Sequence, residues 1–242
     1  MGTELTTAGR PFLTAAWRRL CLLNYAVDPA LLEPRLPPGL TLDLYEGRPY
    51  VSLVAFDFLD TRVLGVPWPG YRNFPEINLR FYVRHGKRRG VAFVREFVPK
   101  RLIAWMARLL YNEPYRAAPM RSVVEADGDA LQVRYGLTLG GREHSLRLTA
   151  QGPPNIPPAD SVAHFFKEHS WGFGHSRGGR LLTYEVRHPV WAVYRDVQVD
   201  LDWDWGAVYG AEWAALNNAT PQSIVLAEGS PIAVAPKRLS TD

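Results

Sequence analysis

Hydrophobic and polar positions alternate along many short stretches of this chain, and glycines and prolines separate those stretches. Alternation with a period of two is typical of strands whose two faces differ in polarity. The pattern predicts twelve strands, which are Ala16–Tyr25, Leu40–Tyr45, Tyr50–Phe58, Glu76–Arg84, Val91–Val98, Arg121–Glu125, Leu131–Leu139, His144–Ala150, Leu181–Val186, Trp191–Leu201, Ser223–Leu226 and Ile232–Ala235. This many strands need a barrel or two stacked sheets, so the sequence predicts a mainly β fold.

Helical patterns are few. They predict three helices, which begin at Pro29, Pro99 and Ser161 and end near Pro37, Pro114 and Glu168. The middle helix has one apolar face, because Leu102, Met106 and Leu109 recur at helical spacing. No stretch alternates strand and helix in the way that doubly wound nucleotide-binding folds require. The fold class is therefore mainly β (α+β) with a few helices.

Composition places the chain among ordinary globular proteins. It has 242 residues, of which 47% are hydrophobic and 21% charged, enough for a sizeable core without disulfides. We expect one domain over residues 1–242, with a disordered tail over residues 1–10 and a surface loop at Gln151–Pro158. The single cysteine, Cys21, indicates a reducing compartment, so we expect a cytoplasmic protein.

Charge and motifs exclude several classes of partner. The net charge of +4 is spread along the chain, and the densest basic run, Lys87–Arg89, is typical of a hairpin turn, so we expect no nucleic-acid binding. Arg18 and Arg19 interrupt the first apolar stretch, so we expect no membrane span. His164 and His169 lack the spacing of a metal site, and we expect neither a metal nor a cofactor.

Candidate chemistry lies between Glu76 and Arg101. On a strand, Glu76, Asn78 and Arg80 share one face, which either meets water or lines a ligand cavity. On a regular strand Glu96 shares a face with Ala92, Val94 and Val98, and both faces of this strand look buried. A buried carboxyl group needs a partner, or its pKa rises.

Lys100 is the one lysine of four that we place in an apolar context, in the segment FVPKRLIAW. If Pro99 is the first helical residue, Lys100 and Arg101 lie in the first turn, where the helix dipole disfavours cations. Desolvation, Arg101 and the dipole would lower the pKa of the lysine, whereas Glu96 would raise it. The alternatives are an amine nucleophile and a surface lysine.

These residues carry a family resemblance. VREFVPKRL resembles the R-E-L-S-x-Y-P-K-K-L segment of acetoacetate decarboxylases, whose first lysine forms a Schiff base with a β-keto acid, and RRLCLLNYAVDPALLEPRLPPGL is similar to a second segment of that family. More closely, NFPEINLRFYV, REFVPKRLIAWMARLLYNEPY, KEHSWGFG, YEVRHPVW and LAEGSP resemble the YqjF-like proteins of domain of unknown function 2071, in the acetoacetate decarboxylase-like superfamily.

The resemblance implies a single-domain, cone-like antiparallel β-barrel with peripheral helices. It implies Lys100 as the Schiff-base lysine, with Arg101 at the neighbouring lysine's position and Glu96 at the glutamate before the motif, as a proton-handling or orienting group. It also implies Arg18 at an arginine associated with the active site, and Glu76 in the pocket. With Asn78 and Arg80, Arg18 and Glu76 would bind a small carboxylate or carbonyl ligand.

Two functions follow as alternatives. One is a Schiff-base enzyme acting on a small keto acid or related carbonyl compound through Lys100. The other is a non-catalytic module that binds a small molecule in the barrel cavity. The identity of the ligand and the formation of a homo-oligomer stay open.

Overall fold

The computed structural model describes residues 10–239, in which the chain forms fourteen strands and three α-helices. The strands are β1 (Leu13–Ala26), β2 (Thr41–Leu42), β3 (Tyr50–Val63), β4 (Phe74–His85), β5 (Arg88–Val98), β6 (Tyr115–Ala117), β7 (Met120–Asp127), β8 (Ala130–Leu139), β9 (Arg142–Asn155), β10 (Trp171–His175), β11 (Leu181–Arg187), β12 (Val193–Asp202), β13 (Ser223–Val234) and β14 (Arg238–Leu239). The helices are α1 (Arg101–Tyr111), α2 (Val162–Lys167) and α3 (Trp205–Tyr209). Apart from Arg10, the tail expected over residues 1–10 lies outside the described residues.

The strands form one mostly antiparallel sheet that closes on itself. Neighbouring strands run in the order β11-β10-β5-β4-β3-β1-β13, and β13 pairs back with β11 at Val186↔Val234 and Arg187↔Ala233. The two parallel pairings are β10 with β5 and β5 with β6. A wing of β12, β9, β8 and β7 continues from β13. The predicted mainly β, barrel-like fold is confirmed.

Two hydrophobic cores occupy opposite faces of the ring. One core contains side chains from strands all round the ring, together with Ala104 of α1 and Phe166 of α2, so it lies inside the ring. The other contains the opposite faces of β1, β3 and β4 and packs them against the wing and α3. Side chains that alternate along a ring strand therefore point alternately into the ring and toward the wing.

Several predicted elements differ from the observed ones. The strands predicted at Ser223–Leu226 and Ile232–Ala235 are one strand, β13, because Gly229 adopts a φ of +82° beside an irregularity in β1 and the pairing continues beyond it. The helix predicted from Pro29 is two short 3-10 turns. The Gln151–Pro158 stretch is strand as far as Asn155. Strands β6, β10 and β14 and helix α3 have no counterpart in the prediction.

Helix α1 begins two residues later than predicted. Lys100 is its N-cap residue, with an extended backbone and no side-chain capping hydrogen bond, so the expected placement of Lys100 in the first helical turn is wrong. A proline disfavours helical backbone angles in the residue that precedes it. Here Pro99 itself also lies outside the helix. Asn112, in the left-handed conformation, ends the helix. None of the helices in residues 10–239 combines the length and apolar character needed to cross a bilayer.

Strand β5 contains a bulge that changes which way Glu96 points. Its pairing with β4 shifts between Leu79↔Arg95 and Arg80↔Phe93, which leaves Val94 as an extra residue. Val94 packs toward the wing-side core, as Ala92 does, whereas Glu96 lines a cavity inside the ring. The expectation that Glu96 shares a face with Ala92 and Val94 is therefore wrong, because a bulge reverses the alternation beyond it.

Candidate functional site

A cavity of about 270 Å³ lies inside the ring, and most of its wall is apolar. Aromatic side chains from β1, β3 and β4 form much of that wall: Trp17, Phe56, Phe58 and Phe74. Their rings pack on one another, with Phe58 and Phe74 stacked at 4.8 Å between centroids. Helix α1 adds a further apolar side through Leu102, Ile103, Met106, Ala107 and Leu110. The cavity can therefore remove an apolar molecule from water.

Acidic and phenolic side chains gather in one part of the cavity wall. We call Glu76, Glu96 and Glu113, together with Tyr115 and Tyr184, the glutamate cluster. The Tyr115 hydroxyl donates to Glu76 Oε2 at 2.8 Å, Asn78 Nδ2 donates to Glu76 Oε1 at 3.0 Å, and the Tyr184 hydroxyl donates to Glu113. These hydrogen bonds hold the carboxyl groups of Glu76 and Glu113 in place.

Strand pairing brings the cluster together. Glu96 on β5 lies opposite Asn78 on β4 and opposite Tyr115 on β6, so these three residues form a row across three strands. Glu96 and Asn78 are 1% and 3% exposed. Side chains directly opposite one another on paired strands lie within contact distance. The parallel pairing of β5 with β6 thus places the segment after α1 beside the carboxyl groups.

Tyr184 reaches the cluster across a glycine. Gly172 on β10 pairs with Tyr184 on β11, and a Cβ atom at Gly172 would lie only 2.1 Å from the Tyr184 ring. Any side chain at that position would displace the ring. Gly172 is therefore required for the hydrogen bond between Tyr184 and Glu113.

Burial raises the pKa of each carboxyl group in the cluster. Loss of water raises the pKa of Glu76 to about 7 and that of Glu113 to about 8, although the hydrogen bonds from Asn78, Tyr115 and Tyr184 oppose the change. The pKa of Glu96 is raised well above its ordinary value, first by burial and then by the charges of Glu113 and Glu76. Carboxyl groups that titrate near neutral pH in a cavity are typical of functional sites.

Basic side chains occupy another part of the wall. Arg80 Nη2 donates to the Phe166 carbonyl at 2.9 Å, and Lys167, whose side chain is fully buried, pairs with Glu168. His169 Nε2 lies 3.1 Å from Asp43 Oδ2. Burial lowers the pKa of His169 to about 4 despite that carboxylate, so its imidazole is neutral at pH 7.

The structure brings together four of the seven residues predicted for the site. Glu76, Asn78, Arg80 and Glu96 all line the cavity. Lys100 is half-buried and Arg101 is exposed, and neither is among the described residues that line it. Arg18 is also absent from that lining, and its Nη1 donates to the Gly229 carbonyl at 3.0 Å.

Other cavity residues were not predicted from the sequence: Glu113, Tyr115, Lys167, His169 and Tyr184. Lys167 carries a signal that could have been used, because HFFKEH places it beside two phenylalanines on a short helix. The positions of Glu113 and Tyr115 depend on the parallel pairing of β5 with β6. The pattern of hydrophobic and polar residues does not predict which strands pair.

The family profile described as DUF2071, uncharacterized conserved protein (COG2071), matches residues 14–231. The uncharacterized protein YqjF of Bacillus subtilis (strain 168) is 34% identical over 116 residues, which cover 48% of this chain and 47% of YqjF. The match therefore spans about half the length of that curated relative.

Two solved structures are similar over nearly the whole chain. One is an acetoacetate decarboxylase-like enzyme from Sphingomonas wittichii RW1, with a TM-score of 0.66, 15% identity, and coverage of 99% of this chain and 98% of that one. The other is the enduracididine biosynthesis enzyme MppR complexed with pyruvate, with a TM-score of 0.62, 14% identity, and coverage of 98% and 93%. At these identities the likeness shows the fold.

Proposed function

The chain belongs to the DUF2071 family and has the acetoacetate decarboxylase-like fold, and from that premise we propose that it binds a small, mainly apolar molecule inside the ring. The polar group of this molecule would contact the glutamate cluster, and its apolar part would contact the aromatic wall. The observation that carries the proposal is a buried cluster of carboxyl groups at the wall of an otherwise apolar cavity.

The cavity wall combines the two properties that a ligand site needs. Each methylene group transferred from water to such a wall contributes about 0.8 kcal/mol to binding. The few polar groups fix the orientation of the ligand, because an unpaired polar group in an apolar cavity is unfavourable. A cluster of buried carboxyl groups lowers the free energy of unfolding when it ionises. A role in ligand binding therefore explains the cluster better than a role in stability does.

Filling the cavity tests the proposal. Ala107 lines the cavity on α1, and the phenyl ring of Ala107→Phe would occupy part of its volume. We expect the wild type to bind 1-hexanol or 2-hexanone in a tryptophan-fluorescence titration, since Trp17 and Trp191 line the cavity. Ala107→Phe should weaken that binding at least tenfold.

Leu109→Phe is the matched control, because Leu109 is exposed on the same helix and lies outside the cavity lining. This variant should bind as the wild type does. Equal affinity in the wild type and Ala107→Phe, or no binding of either compound by the wild type, would contradict the proposed function.

A Schiff-base enzyme acting on a small keto acid or related carbonyl compound through Lys100 is the second candidate. Lys100 is half-buried and directly precedes a helix whose Leu102 and Ile103 line the cavity. MppR, which has the same fold, has been solved with pyruvate, a small carbonyl compound. In this candidate the Lys100 side chain turns toward Glu96 when substrate enters, Arg101 is its cationic neighbour, and Arg18 contacts the substrate carboxylate.

Borohydride trapping tests this candidate. Incubation with pyruvate or acetoacetate and borohydride should place the label on Lys100, as found by peptide mass spectrometry. Lys87, exposed in a hairpin turn, is the internal control for non-specific labelling. Labelling of Lys87, Lys167 and Lys237 with none on Lys100 would exclude this enzyme and leave the binding function standing.

A further inference from the structure

Two acceptor oxygens on strands β4 and β5 of the cavity wall have no hydrogen-bond partner within the described residues. They are Asn78 Oδ1 and Glu96 Oε2, and both atoms are buried. The two residues lie directly opposite each other on β4 and β5. Buried acceptors without a donor are rare in folded proteins, so each calls for a specific explanation.

The donors of the glutamate cluster and of Asn78 are already engaged, whereas Arg80 Nε and Trp17 Nε1 elsewhere in the wall also have no partner among the described residues. Asn78 Nδ2 and the Tyr115 hydroxyl both donate to Glu76, and the Tyr184 hydroxyl donates to Glu113. A protonated Glu96 carries one O–H donor of its own, but once its carboxyl group is ionised the two free acceptors need a donor of more than one hydrogen bond from outside the cluster.

The charges that face the cluster favour a cationic donor. The cavity lining contributes three carboxyl groups and two basic side chains, Arg80 and Lys167, and the lysine is already paired with Glu168. His169 and His188 are shifted toward their neutral forms by burial, which lowers both pKa values. Tyr111, Tyr115 and Tyr184 are also neutral, since burial raises the pKa of each. When the cluster ionises, Arg80 is the one cation of the described lining left to balance the three carboxylates.

We propose that the ligand is an apolar primary amine, whose ammonium group donates to Asn78 Oδ1 and Glu96 Oε2. This assignment rests on the proposed function and names the polar group that the cavity recognises. An ammonium group has three donors and no acceptor, which matches the two free acceptor oxygens of Asn78 and Glu96. The aromatic rings of Trp17, Phe56 and Phe74 add a surface that favours a cation and an alkyl chain alike.

Binding of an ammonium group is coupled to the ionisation of the cluster. An alkylammonium stays charged below about pH 10, whereas the cluster carboxyl groups hold protons near neutral pH. The bound cation favours ionised carboxylates, so the complex releases protons. The affinity should therefore rise with pH between 6 and 8, by about tenfold per pH unit for each proton released.

Calorimetric titration of the full chain with four six-carbon ligands provides the test: hexylamine, 1-hexanol, 2-hexanone and hexanoate. At pH 8 hexylamine should bind at least tenfold more tightly than the other three, and the advantage should shrink at pH 6. Titration in buffers of different ionisation enthalpy should show proton release. Glu96→Gln should reduce the hexylamine affinity at least tenfold and reduce that of 1-hexanol by a smaller factor.

Glu33→Gln, at an exposed glutamate, is the control and should behave as the wild type. Tighter binding of hexanoate would overturn the inference, and it would point to Arg80, whose Nε has no partner in the described residues. Tighter binding of 2-hexanone or 1-hexanol would also overturn it, because protonated carboxyl groups would then be the donors. If none of the four ligands binds, the proposed function itself fails, and the amine assignment fails with it.

Discussion

Carboxyl groups that share a buried volume make the stability of this protein depend on pH. The unfolded chain releases the protons of Glu76 and Glu113 near pH 4.5, whereas the folded protein holds them until about pH 7 and about pH 8. Between these limits the folded state binds more protons than the unfolded state, so the free energy of unfolding falls as pH rises. The contribution of these two protonated groups to the free energy of unfolding is fully present below about pH 4.5 and is lost by about pH 8.

Removing one of these carboxyl groups should flatten that dependence. Glu113→Gln keeps an acceptor for the Tyr184 hydroxyl but has no proton to lose. We expect the variant to be more stable than the wild type at pH 8.5, by on the order of 1–3 kcal/mol, and to differ less at pH 5. Urea unfolding at both pH values measures this. The exposed Glu33→Gln should keep the wild-type slope, and an unchanged slope in Glu113→Gln would contradict the electrostatic account.

Single residues were predictable where strict alternation fixed their direction. Glu76, Asn78 and Arg80 share a face because β4 has no irregularity between them, and that face lines the cavity. Glu113 and Tyr115 were not predictable, because they belong to a short segment after α1 whose course depends on parallel pairing with β5. Local patterns report burial within one element, and they do not report which distant segment completes a site.

At the scale of elements, α1 begins without the usual capping interaction. Lys100 occupies the N-cap position with an extended backbone, and its side chain accepts no hydrogen bond from the first turn. A lysine has no acceptor atom, and its charge is unfavourable at the positive end of the helix dipole.

Lys100→Ser should therefore stabilise the protein. A serine hydroxyl can accept from a free backbone N–H of the first turn, which contributes about 0.5–1 kcal/mol. Urea unfolding of Lys100→Ser and Lys100→Ala separates this capping gain from the removal of the charge. The serine variant should exceed the alanine variant by that amount, and equal stabilities would show that the first turn is already satisfied.

The bulge in β5 shows why element-level prediction failed for Glu96. The sequence of β5 reads as a regular strand, and regular alternation places Glu96 with Ala92 and Val94. The extra residue, Val94, is apolar and packs well on the wing-side core, so no glycine or proline marks the bulge. Burial of Glu96 was predictable from its apolar neighbours, but the side on which it is buried was not.

For the whole molecule, a shared core argues for one cooperative unit. Leu131 and Val133 from the wing belong to the same core as Leu79 and Phe81 from the ring. Neither part can unfold without exposing the apolar face of the other. The direct strand pairing between wing and ring is slight, at Val193↔Ala227, so the core supplies the coupling.

We therefore predict a single unfolding transition over the full chain. Scanning calorimetry should give a calorimetric enthalpy equal to the van't Hoff enthalpy, as expected for two-state unfolding. Limited proteolysis should not yield two stable halves split near Pro157. Two resolved transitions, or such a pair of fragments, would show that the chain contains two domains instead of the predicted one.

The position of α1 in the wall has an evolutionary consequence. One continuous segment of the chain supplies Leu102, Ile103, Met106 and Leu110 to the apolar side of the cavity, whereas the carboxyl groups come from β4, β5 and the segment beyond Asn112. Substitutions along a single helical face can lengthen, shorten or reshape the space for an alkyl tail and leave the head-group chemistry intact. Members of such a lineage can thus diversify in the size of molecule they accept through the few codons of α1 whose side chains line the cavity.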